Sequence, residues 1–132
     1  MNEQQNVLNA VLSMTQAFHQ RDIKGVMAAY AEGAVVCFEP NQPVSDRAQI
    51  EQAFLGFFKM KPSFTYAGHQ VVVSGDAAVH IAPWTMTGTG PDGAPITMRG
   101  LSVAVLKRGD DGRWYMVVDN PYGDHFETAA NH

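Results

Sequence analysis

Residues 64–73 (FTYAGHQVVV), 77–89 (AAVHIAPWTMTGT), 96–107 (ITMRGLSVAVLK) and 113–119 (RWYMVVD) are four strand patterns in a row, and the breaks between them decide the fold. The breaks are Ser74-Gly75-Asp76, Gly90-Pro91-Asp92-Gly93-Ala94-Pro95 and Gly109-Asp110-Asp111-Gly112, and Asn120-Pro121 stops the last strand. Glycine supplies a positive φ and Asp or Asn bonds its own backbone, so each cluster reads as a turn. Connections this short force antiparallel neighbours. The back half is therefore a meander.

Working outward, the front half has a helical period. Val7, Leu8, Val11, Leu12, Thr15 and Phe18 recur on one face of a helix over 4–20, opposite Gln4, Gln5, Asn9 and Gln16. Asp22 reads as the cap of a second helix over 23–31, which buries Ile23, Val26, Met27 and Tyr30 and ends at Gly33. Residues 34–39 (AVVCFE) form a short strand stopped by Pro40. Asp46 followed by Gln49 resembles a capping box for a third helix over 47–59, carrying Ile50, Ala53, Phe54, Phe57 and Phe58 inward. Helices followed by a curled antiparallel sheet make an α+β cone: three N-terminal helices on a curved, mostly antiparallel sheet, with a pocket between the layers.

The strands do not alternate apolar with polar. Trp114, Met116 and Val118 oppose Tyr115 and Val117, and Ile96, Met98, Ala104 and Leu106 oppose Leu101, Val103 and Val105. Both faces of the sheet are too apolar for water, and the helices cover one. The simplest cover for the other is a second copy of the chain, so a homodimer through the outer sheet face is expected.

At 132 residues, with 45% apolar and 17% charged residues, the chain is expected to be one domain over 1–132 with a core that needs neither disulfide nor metal. The net charge of -4 and the thin spread of nine Lys and Arg argue against nucleic acid. The N-terminus MNEQQNV lacks the basic and apolar regions of a signal peptide, and no apolar run approaches a membrane span. A single cysteine, Cys37, cannot form an internal disulfide. These features point to a cytoplasmic protein whose last ten residues (GDHFETAANH) are a frayed polar end.

The order of elements, with Asp22-Ile23-Lys24-Gly25, Tyr30-Ala31, Ala34-Val35-Val36 and the later Asp111-Gly112-Arg113-Trp114, resembles the nuclear transport factor 2-like superfamily. Within it the chain is similar to SnoaL-like and ketosteroid-isomerase-like small bacterial proteins, and to the association domain of calcium/calmodulin-dependent kinase. The resemblance spans about residues 4–122 and implies a cystatin-like conical barrel, a pocket at its open end and a homodimer.

The resemblance also frames the chemistry. Steroid isomerisation takes a carboxylate base and an oxyanion hole of a tyrosine and a protonated aspartic acid. The family's tyrosine position falls on Met14, which donates no hydrogen bond. The family's base position lies near Glu39-Pro40, and the second acid's position lies among Arg99, Gly100, Leu101 and Ser102, with no carboxylate. The family's histidine pattern late in the sheet is replaced by Val118 and Asn120. Steroid isomerisation is therefore not expected.

The candidate catalytic residues are Glu39 and Asp119 as acid or base and Arg99 as a carboxylate-binding fork, each with a plainer reading as a solvated strand end, a turn former or an ion-pair partner. Alternation lets only one of Asp119 and Asn120 face a pocket. Tyr30, Phe54, Phe58, Trp84, Met86, Met98 and Asn120 are candidate ligand contacts, and flexible methionines suit a small apolar, oxygenated molecule. His19, His69, His80, His125 and His132 show no paired ligand spacing, so no metal is expected, and His80 reads first as a core or interface histidine. Gly88-Thr89-Gly90 lies in a hairpin and is no dinucleotide signature, so no cofactor is expected. Two functions follow: a cofactor-free isomerase, cyclase or hydrolase acting in the cone, or a non-catalytic ligand-binding or association module.

Overall fold

Two long strands set the frame: β5 (Ala77–Thr89) and β6 (Pro95–Arg108) pair antiparallel along their whole length, from Ala77 opposite Lys107 to Thr89 opposite Pro95. The structure, a computed structural model, describes residues 2–126. β7 (Trp114–Asn120) continues the meander on the far side of β6. β1 (Tyr30–Glu39) joins β7 in parallel, and β2 (Gln42–Val44) closes that edge. At the other edge β3 (Ser63–Tyr66) and β4 (Gln70–Ser74) both pair with β5. The sheet is open and runs β2-β1-β7-β6-β5-β3. Packed on it are α1 (Glu3–His19), α2 (Ile23–Ala28) and α3 (Arg47–Phe58), as the α+β expectation requires.

Each helix begins at a side chain that accepts an otherwise unpaired N–H. Asn2 accepts from Gln5, Asp22 from Gly25 and Asp46 from Gln49, at 2.8–3.0 Å. Val7, Val11 and Phe18 of α1, Val26 of α2 and Phe54 of α3 meet Ala104, Leu106 and Met116 of the sheet in one core. Leu12, expected in that core, is 39% exposed. The buried stripe of α1 instead passes through Thr15 and Ala17.

Three local expectations are corrected. Helix α2 ends at Ala28 rather than 31, and Tyr30 already belongs to β1, opposite Met116. Gly33, expected as a helix end, sits inside β1 with φ +75°, where the register to β7 shifts. Parallel pairing with β7 outweighs a weak helical preference. Next, the run 64–73 is two strands. Pro83, opposite the break, has no N–H to give, and its carbonyl accepts from Ala67 instead at 2.9 Å. The pairing register moves by one residue between Tyr66–Trp84 and Gln70–Ile81. Lastly, the C-terminal end is tied for some distance. Gly123 donates to Leu101 at 2.8 Å and the Tyr122 hydroxyl to the Phe38 carbonyl at 2.9 Å. Residues 127–132, including His132, lie outside the described residues.

Candidate functional site

The site depends on one extra residue in β7. Val105 opposes Val118 and Ala104 opposes Asp119, but Leu106 opposes Met116. Val117 is therefore unmatched, a bulge that reverses the facing of everything after it. Trp114 and Met116 face the helices, Val118 turns outward at 37% exposure, and Asp119 turns inward. Strict alternation would have sent Val118 and Asn120 inward. Asn120 instead accepts from the Tyr122 N–H at 3.0 Å and shapes the turn that follows.

Asp119 opens into a cavity between the helices and the sheet. Its walls are apolar: Val11, Met14 and Phe18 of α1, Phe54 and Phe57 of α3, and Phe64, Trp84, Met86, Met98 and Met116 of the sheet. The cavity leaves about 90 Å³ to the centre of a water-sized body, well above the roughly 10–15 Å³ that one water needs. The polar groups on the wall are Thr15, Cys37, Tyr66, His80, Ser102, Asp119 and Tyr122. A mostly apolar enclosure with few converging polar groups is the usual form of a small-molecule site.

Tyr30, 3% exposed, donates to Asp119 Oδ2 at 2.5 Å. No other hydrogen bond reaches that carboxyl among the described residues. Burial pushes the Asp119 carboxyl above the usual aspartate range, and the bond from Tyr30 pulls the other way. Burial, then the charge of Asp119, drives the Tyr30 phenol well above its ordinary value, so it stays a donor. Tyr66 is raised by burial as well and shares a 3.1 Å hydrogen bond with Thr15, whose hydroxyl also reaches the Val11 carbonyl.

His80 is the second buried polar group. It is 1% exposed, and its Nε2 lies 2.8 Å from Nδ1 of the exposed His69. Its own Nδ1 is buried with no partner. Burial, then His69, pushes the His80 imidazole down to about 4, so it is neutral at ordinary pH. Leaving a buried nitrogen unpaired costs about 1–3 kcal/mol. Pro121 and Tyr122 also line the cavity. The Trp84 indole donates to the Pro121 carbonyl at 2.8 Å, and burial raises the Tyr122 phenol. Among the described residues no three His, Cys, Asp or Glu side chains cluster to hold a metal ion.

The residues singled out from sequence divide cleanly. Asp119, Phe54, Trp84, Met86 and Met98 line the cavity, and Tyr30 stands directly behind Asp119. Phe58 packs against Phe18 with ring centroids 5.4 Å apart, off the cavity lining. Glu39 is exposed at the end of β1, beyond a second register shift at Cys37. Arg99 is exposed on β6, with the outward parity of Leu101 and Val103, so it does not enter the cone. Sequence reading missed Tyr66, Thr15 and Ser102 as wall residues and the pairing of the two histidines. The histidine pair had a signal: the turn at 74–76 pairs Val71 with His80, which leaves His69 two residues away on the same face.

No curated protein matches the chain. Solved structures share its fold. A ketosteroid isomerase-like protein from Erwinia carotovora atroseptica superposes with a TM-score of 0.77 at 18% identity, over 90% of this chain and 94% of that one. A proposed dehydratase of the NTF2-like family from Streptomyces avermitilis gives 0.75 at 17% identity, over 88% and 92%. The association domain of CaMKII from C. elegans gives 0.72 at 17% identity, over 89% and 93%. Residues 11–117 match the SnoaL-like domain, so this chain belongs to the SnoaL-like domain family.

Proposed function

We propose that this protein takes a small, mostly apolar, oxygenated molecule into the cone and performs cofactor-free acid–base chemistry on it, with Asp119 as the acid or base and Tyr30 as the group that holds it. The observation that carries this reading is the Asp119 carboxyl: one oxygen is fixed by Tyr30, no other protein group bonds it among the described residues, and burial raises its pKa. A carboxyl raised in this way exchanges protons nearer neutral pH, where general catalysis is most effective. Isomerisation, cyclisation or hydrolysis of an enolisable or hydroxylated compound fits such a group. Glu39 and Arg99 take no part.

The test is wash-in of solvent deuterium into a panel of enolisable cyclic ketones, followed by mass spectrometry. Wild type accelerates exchange for a ketone that fits, and Asp119→Asn loses about 10² to 10⁴ of that acceleration. Equal, uncatalysed exchange by both proteins would leave the second reading, a ligand-binding or association module. That reading draws on the association domain among the structural neighbours and on the outer sheet face. There Leu101, Val103 and Val105 are only half-buried and Val118 is exposed, a surface suited to a second copy in a cytoplasmic homodimer. The two readings share the fold and differ in whether Asp119 moves a proton.

A further inference from the structure

One cross-strand row of the sheet reads Val71, His80, Ala104, Asp119, Val36, because each is the register partner of the next. Directly paired residues in such a row share a face. His80 and Asp119 thus rise from the same floor with only the methyl of Ala104 between them. Two strand spacings put their backbones roughly 10 Å apart. All three line the cavity. Behind His80 stands His69, exposed, bonded to it at 2.8 Å and otherwise free of hydrogen bonds among the described residues. Tyr66 packs on both imidazoles, at 5.1 Å from His69 and 5.9 Å from His80.

We propose that His80 and His69 form a proton relay through the cavity wall, giving the site a second acid–base group facing Asp119 and fitting it to a molecule with an oxygen function at each end. The proposal rests on the reading of Asp119 above. An imidazole bonded at Nε2 and unpartnered at a buried Nδ1 can pass a proton straight through its ring once a ligand oxygen meets that nitrogen. When His80 Nδ1–H gives its proton to a ligand oxygen, Nε2 takes the Nδ1 proton of His69. His69 regains one from water at its own Nε2. No charge accumulates, and the reverse order carries a proton out. Asp119 meanwhile takes or returns the proton at the other end of the ligand. A hydroxy ketone that loses water or shifts its double bond needs this combination, one proton removed and one delivered. The unpaired Nδ1, unexplained by packing, is the atom that a ligand would satisfy.

The test uses 4-nitrophenol, which carries an oxygen function at each end and whose absorbance reports binding. Long-range proton–nitrogen NMR spectra of the ¹⁵N-labelled wild-type protein are recorded with and without it. The expected result is a shift of His80 Nδ1 on binding, with His69 Nδ1 moving in concert, and a loss of about tenfold or more in affinity for His80→Phe. Binding of the probe with both imidazoles unmoved, or with His80→Phe unchanged, overturns the relay and leaves the role of Asp119 standing. Absence of binding to the wild type overturns the relay's two-ended ligand, and the deuterium wash-in decides the role of Asp119 separately. The spectra need no variant, so a poorly folding His80→Phe does not block the answer.

Discussion

Tyr30 shows what a single side chain does to the chemistry here. Its hydrogen bond opposes the burial that raises the Asp119 carboxyl. Tyr30→Phe is therefore expected to raise the Asp119 pKa further, and carbon NMR of the carboxyl across a pH series will show it; a lower value would refute the assignment. His80 gives a stability prediction with a definite sign. Its pKa falls from 6.5 to about 4 in the folded protein. The contribution is thus fully present above the unfolded value and lost as pH drops from about 6.5 to 4, at a total of about 3 kcal/mol. Asp119 works the other way. Its folded pKa is raised, so its contribution is complete at low pH and is lost as pH rises through the folded value. Denaturant midpoints measured across this range should fall on acidification for wild type and much less for His80→Phe. Parallel curves for the two proteins would show that His80 is not the buried neutral group described.

At the scale of elements, the bulge in β7 decides which residue the cavity receives. Deleting Val117 removes the unmatched residue. Without it Met116, Val118 and Asp119 follow one another opposite Leu106, Val105 and Ala104, so the deletion is expected to leave Asp119 facing inward with its pKa still raised, as the same carbon spectra would report; a return to the ordinary aspartate range would refute the register. A second element-level feature is the crossing of β6 beneath Trp84. A Cβ on Gly100 would lie 2.7 Å from the indole and 2.8 Å from the Pro121 carbonyl. Gly100→Ala should therefore push Trp84 off its hydrogen bond to Pro121 and cost about 1–3 kcal/mol of stability by thermal unfolding. An unchanged melting temperature would mean that Trp84 and Pro121 yield freely.

For the whole molecule, the two faces of the sheet differ in how they are covered. The inner face packs the helices, and the outer face carries the half-buried Leu101, Val103 and Val105 and the exposed Val118, none of them part of the core among the described residues. Light scattering at micromolar concentration is expected to give twice the 14.4 kDa chain mass, and Val103→Glu is expected to halve it. A wild type that scatters as a monomer removes the dimer. The proposed dimer contact and the proposed proton transfer are separable, because none of the outer residues lines the cavity.

While β2 and the split of 64–73 into two strands lay beyond it, the amino-acid sequence by itself determined the three helices, the strand after the second, the meander and the helix starts at Asp22 and Asp46. These follow from local causes: glycine and aspartate at turns, apolar period along helices, and capping oxygens at Asp22 and Asp46. It also placed Phe54, Trp84, Met86 and Met98 indoors, since apolar side chains at those periods have nowhere else to go. Only the tertiary structure decided which polar residues enter the cone. Asp119 faces inward because of an unmatched residue that exists only once β7 is paired with β6, and no local pattern in RWYMVVD marks it. The break opposite Pro83 and the meeting of His69 with His80 likewise depend on a neighbouring strand. Arg99 was persuasive in sequence because a charge amid apolar and small residues looks enclosed, and Glu39 because it ends a strand near the position of a catalytic base in the family the chain resembles. Strand parity at Arg99 and a register shift before Glu39 put them in solvent instead. Period and turn chemistry are properties of neighbours along the chain, whereas the facing of a strand end is a property of its pairing across the sheet.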